Sequence, residues 1–139
     1  MNSTLELLKK LVITIVLLIM VDAPYLLTNK NLYENATRKI SNRAYTTRYY
    51  SAIIVYIAIA LGLIYLALPN INRSPNITIT QRLMSCLMWG GLFGATSYAV
   101  FDFTTHFMFA DWTLGIAVMD TIWGGILCTI VTFILSYLI

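Results

Sequence analysis

Apolar residues gather into four long runs separated by short polar connections. Crossing a hydrocarbon core of about 30 Å takes roughly 20 helical residues, with about 17 as a lower limit. Residues 8–27, 49–68, 83–107 and 112–138 reach that length, so the pattern predicts four transmembrane helices. Each must be helical, since no water is present at that depth to satisfy a bare backbone, and the alternating strands of a barrel are absent. The expectation is an all-α integral membrane protein, a four-helix bundle forming one domain over residues 1–139.

The connections carry their own pattern. In 29–48, Leu32, Ala36, Ile40 and Ala44 recur every fourth residue among Lys30, Arg38, Lys39, Arg43 and Arg48. That spacing predicts an amphipathic helix lying on the membrane surface with its cations at the headgroups; a solvated loop is the alternative. Residues 69–82, with Pro69, Asn70, Asn72, Pro75 and Asn76, read as a turn. The third connection is so short that spans three and four must form an antiparallel hairpin. Asp111 is expected to cap the fourth helix and Trp112 to anchor it at the interface.

Tracing the chain back and forth puts Asp22, Asp102 and Asp120 in the same half of the membrane, on the side of the first connection. At 1.5 Å per residue, Asp22 and Asp102 lie about 8 Å deep and Asp120 about 12 Å. Ionisable residues in spanning segments are costly to insert, which marks them for a pathway, a site or a buried partner. In a low-dielectric layer, desolvation and mutual repulsion prevent all three from staying ionised unless a cation is close. Arg43 or Arg48 could supply that cation, so an ion-pair network competes with a proton or cation site.

Composition agrees with the hydropathy pattern: 59% of the 139 residues are hydrophobic and 11% charged, and the mean hydropathy is +0.77. The nine Lys and Arg fall in or near the connections, five on the first-connection side and four on the other. They read as contacts to membrane lipids, and the bias is too small to orient the chain. No basic stripe interleaves with aromatics, so no nucleic acid is expected. Cys86 and Cys128 form no ligand spacing and are expected to pack as small apolar groups. Lys9 and Lys10 before an apolar run imitate a secretory signal. With no small-x-small site following, they are read as opening an uncleaved first span.

Gly90, Gly94, Tyr98, Asp102 and His106 follow at intervals of four along span three, a GxxxG packing face leading into the acidic layer. Asp120, Trp123 and Gly124 repeat the scheme on span four, and the deep indole is expected to donate to Asp120 or Asp102. Asp22 precedes Pro24, so it could instead cap a bent helix. A metal site of Asp102, His106 and Asp120 is set aside because the chain has a single histidine, near the interface. No catalytic nucleophile, metal or cofactor is expected.

The stretch GLFGATSYAVFDFTTHFMFADWTLGIAVMDTIWG, residues 91–124, resembles the signature of domain-of-unknown-function family 2177, small predicted four-span membrane proteins. The family pattern runs from a glycine-rich helix through Tyr-x-x-Tyr/Phe-Asp-Leu-Thr-Asn to a Trp ten residues after the Asp, then Val-Asp-x-x-Trp-Gly. Gly94, Tyr98, Asp102, Thr104, Trp112, Asp120, Trp123 and Gly124 match it. Asp22 with Tyr25 resembles its first-span Asp-x-x-Trp, and Tyr33 and Pro69 fit more loosely. Thr105 stands where the family has Asn, and His106 lies outside the pattern. The resemblance implies a fold and a shared site without an established activity.

The functional expectation is a pocket of Asp22, Asp102 and Asp120, supported by Tyr98, Thr105 and Trp123, that binds or passes a proton or small cation. Gly90, Gly94 and Gly124 are expected to pack helices, and a homo-dimer or higher oligomer along that seam would complete a pathway. One alternative is a membrane enzyme acting on a lipid-like substrate, with one carboxyl as general acid and another as base. Another is a structural or assembly subunit whose aspartates only bond helices together.

Overall fold

The structure is a computed structural model that describes residues 2–43 and 47–139. Among them, five helical segments follow in order: α1 (Ser3–Thr28), α2 (Lys30–Ser41), α3 (Tyr49–Asn70), α4 (Ile79–Met108) and α5 (Leu114–Leu138). No strand occurs among the described residues. α1, α3, α4 and α5 are each long and apolar enough to cross a membrane. Their outer faces expose large apolar side chains along the whole length, among them Val12, Met20, Ile53, Val100 and Ile122. Such a surface suits lipid and would be a liability in water.

Local chemistry sets the ends. Asn2 caps α1 by accepting from the Thr4 amide, and Thr78 with Gln81 forms a reciprocal capping box at the start of α4. Thr113, rather than the expected Asp111, caps α5 by accepting from the Ile116 amide. A threonine one residue from the helix has its oxygen nearer that amide than a carboxylate two residues further out. α1 continues through Pro24 without ending, so Asp22 is not the cap of a bent end.

Two spans contain a π turn, at Leu63–Ala67 in α3 and Leu87–Gly91 in α4. Each inserts one extra residue into the helix. The second leads into the tightest helix pairing in the molecule, between α4 and α5. A Cβ at Gly94 would overlap the Gly124 carbonyl oxygen and the Cys128 side chain, and a Cβ at Gly90 would overlap the Thr132 side chain. The glycine seam is thus used within the chain, and a dimer would need another face.

Two apolar clusters stack along the bundle. The larger holds Leu18, Ile59, Leu63, Leu127, Val131 and Leu135, and it includes Cys128, which like Cys86 is buried. The smaller is built by Ala36, Trp112, Ile116 and Ala117 with Tyr33 and Ile40. A helix, α2, occupies part of the first connection, and its buried side rests on the start of α5 rather than facing lipid. Leu32, expected in the same stripe, is 42% exposed, and Ala44 lies outside the described residues. All three aspartates fall between the two clusters.

Candidate functional site

Asp22 of α1 is 4% exposed and Asp102 of α4 fully buried, while Asp120 of α5 keeps partial exposure. Hydrogen bonds from other parts of the chain reach each of the three acids. Tyr56 Oη donates to Asp22 Oδ2 at 2.6 Å, and Trp123 Nε1 donates to Asp22 Oδ1 at 2.7 Å. Both oxygens of Asp22 are thereby satisfied, and α1, α3 and α5 are tied at one point. The Trp123 acceptor is thus Asp22, not Asp102 or Asp120, and the indole lies stacked on Tyr25 at 4.6 Å between ring centroids.

Asp120 is approached from the other side. Tyr33 Oη donates to Asp120 Oδ1 at 2.9 Å, Tyr25 Oη lies 3.4 Å from the same oxygen, and the two phenols are 2.6 Å apart. Trp112 Nε1 donates to Asp102 Oδ1 at 3.3 Å. With 6% exposure, Trp112 is a buried donor and not the interfacial anchor expected from its position. His106 holds the turn behind it through a 2.7 Å contact between Nδ1 and the Trp112 carbonyl.

Asp102 Oδ2 has no donor, although it is buried. Close to the Asp102 carboxyl stands that of Asp120, which as a carboxylate is another acceptor. A proton shared by the two carboxyls would satisfy both. Thr121 Oγ1, beside Asp120 in sequence, is the other buried polar atom without a partner among the described residues.

Compensation by arginine is not found. Arg43 and Arg48 are exposed, and among the described residues no basic side chain pairs with any of the three acids. Tyr98 lays its ring over Gly124 and lies within electrostatic reach of Asp22 and Asp120. Thr105 donates to the Phe101 carbonyl of its own helix at 2.7 Å, and among the described residues no hydrogen bond joins it to the acids. Among the described residues, no three His, Cys, Asp or Glu side chains converge as a metal-ligand set.

Residue-by-residue reading did not identify Tyr56, Tyr33 or the donor role of Trp112 as parts of the site. Tyr56 left one signal: eight residues into α3 it stands about 10 Å from the first-connection end, the depth of the acids. A phenol at that depth needs a partner.

Trp112→Phe leaves a smaller aromatic ring and deprives Asp102 Oδ1 of its donor. The expected loss is about 1–3 kcal/mol, checked by unfolding in mixed micelles.

Tyr33 lies outside the spans, and its phenol is pushed well above the ordinary value of 10.0, first by burial, then by the bond to Tyr25 and the negative field of Asp120. A raised folded value favours the native state fully below the unfolded value and less as pH climbs past it. The attachment of α2 is therefore expected to hold to about pH 10 and weaken above it. Tyrosinate absorbance of wild type against Tyr33→Phe, followed alongside amide exchange in α2, checks this. A site unaffected by alkali would contradict it.

Four membrane-length helices around a buried cluster of acids, phenols and indoles define a multi-pass integral membrane protein. Comparison with known families matches residues 7–137 to one described as "Predicted membrane protein (DUF2177)". The chain belongs to that family. No curated protein and no solved structure matches it.

Proposed function

We propose that this protein binds an exchangeable proton on the Asp102–Asp120 pair, as part of a proton- or small-cation-handling function in the membrane. One observation carries the reading: the buried Asp102 Oδ2 lacks a donor and its carboxyl neighbour is a second acid, with no paired cation among the described residues. Two unprotonated carboxylates at that range repel strongly in a low dielectric. One proton between them removes the repulsion and the unsatisfied oxygen together. Tyr33 and Tyr25 extend the pair by hydroxyl groups able both to donate and to accept. Towards the chain termini, Leu18, Leu63, Leu127, Val131 and Leu135 fill the core, and the buried hydroxyls of Thr14, Thr129, Thr132 and Ser136 are taken up by backbone carbonyls. Passage across the membrane would therefore require a second conformation.

The division of labour is specific. Asp22 accepts from two donors and ties helices together, whereas Asp102 and Asp120 hold the proton. Infrared spectra of purified protein in lipid should show a protonated carboxyl band at neutral pH that shifts in heavy water. Asp102→Asn and Asp120→Asn should each remove it, and Asp22→Asn should leave it. A wild-type spectrum without the band, or a band indifferent to both substitutions, would refute the proposal.

An assembly role is favoured by one observation, the convergence of α1, α3 and α5 on Asp22. In that case all three Asp→Asn variants should lose folding equally.

A further inference from the structure

α2 has two unlike sides. Tyr33, Ala36 and Ile40 pack on Trp112, Ile116 and Ala117, and Tyr33 reaches Asp120 at 2.9 Å. Arg38 and Lys39 lie about 140° and about 120° around the helix from Tyr33, at 3.6 residues per turn. Both are exposed, as are Arg43 just after the helix and Arg48 at the start of α3. None of the four has an ion-pair partner among the described residues. Glu34, the acid within α2, already faces Lys30 at 3.8 Å.

Position adds to charge. α2 begins within two residues of the end of α1, whose last turn exposes Leu26 and Leu27 at 44% and 74%. A helix leaving a lipid-facing span after so short a link stays at the depth of the headgroups. Twelve residues are also too few for a stable helix in water without support. The protein side supplies a small patch only: one phenol, one alanine and one isoleucine.

We propose that α2 binds the anionic lipid headgroups of its leaflet through Arg38, Lys39, Arg43 and Arg48, and that this contact holds Tyr33 on Asp120, closing the acidic cluster. Basic residues beside an anionic surface each strengthen attachment about fivefold, so four of them outweigh the small protein patch. Lipid charge would then set how often Asp120 meets water. The regulatory half of the proposal rests on the proton reading of the Asp102–Asp120 pair, whereas the lipid contact does not.

The experiment is amide hydrogen exchange of the full chain in nanodiscs of phosphatidylglycerol or of phosphatidylcholine. Residues 30–41 should exchange on the order of tenfold more slowly in phosphatidylglycerol. Arg38→Gln with Lys39→Gln should erase most of that difference while leaving α4 and α5 protected. Equal exchange in the two lipids, or a difference that survives both substitutions, would overturn the lipid contact. Free glycerol phosphate added to phosphatidylcholine discs should give no protection, and protection there would show a soluble phosphate site instead. Asp102→Asn should keep the lipid dependence, so failure of the proton reading remains separate from failure of this one. For the coupling, Tyr33→Phe should raise the rate at which the carboxyl band shifts in heavy water and make it indifferent to lipid. An unchanged rate would overturn it.

Discussion

Gly94→Val is expected to prevent assembly of the bundle. A Cβ at that position meets the Gly124 carbonyl oxygen and the body of Cys128, and a backbone oxygen cannot turn aside as a side chain can. The helices must separate along their most intimate contact, which also carries Gly90 against Thr132 and Tyr98 against Gly124. Overpacking typically costs 1–3 kcal/mol, and here, with backbone as the obstacle, about 3 kcal/mol or more. In lipid no hydrophobic drive between helices compensates, since tails and side chains are equally apolar. Most of the variant should elute as aggregate on size exclusion in mild detergent. Gly115→Ala is the control. A Cβ there has nothing nearer than Thr113 Oγ1 at 3.8 Å, so alanine should be tolerated or slightly stabilising, by up to about 1 kcal/mol. A monodisperse Gly94→Val with wild-type stability would remove the α4–α5 seam from the account.

Asp22→Asn is expected to destabilise more than Asp102→Asn, although both remove one buried acid. Asp22 accepts from Tyr56 and Trp123 on separate oxygens, and a buried donor left without its acceptor costs about 1–3 kcal/mol. An amide offers one acceptor, and its NH2 would face a second donor. The expected loss is about 3 kcal/mol. Asp102 stands differently, because its second oxygen has no donor. The amide that Asp102→Asn introduces could donate to Asp120, so the substitution should shift stability by no more than about 1 kcal/mol while removing the site of the proposed proton. Unfolding in mixed micelles ranks the two variants. The reverse order would mean that the proposed placing of the proton on the Asp102–Asp120 pair is wrong.

Periodicity and length gave the four spans, because a membrane helix must bury its backbone and expose its side chains along one uninterrupted run. The approach of Asp102 to Asp120 was also legible, since helices of fixed rise make depth a matter of counting. Which donor serves which acid was not. Trp123 reaches Asp22 instead of an acid on its own helix or the next because of how α1 packs, which no local pattern encodes. Trp112 looked like an interface residue from its place before α5. Its burial depends on α2 folding back over it, a tertiary event carried by Tyr33, Ala36 and Ile40. The same event turned the expected lipid-facing stripe of α2 partly towards protein.

The π turn at Leu87–Gly91 sets two phases in one helix. An extra residue there rotates everything before it by about 100° relative to an uninterrupted α-helix. On one side of the turn, Arg82 reaches the Ser136 carbonyl at 3.0 Å and crosses the Tyr137 ring at 4.2 Å. On the other side Asp102 points inward. Deleting Met88 would straighten the helix, and one of those two attachments would then swing out towards lipid. Shortening this span by a single amino acid is thus a change of azimuth more than of length.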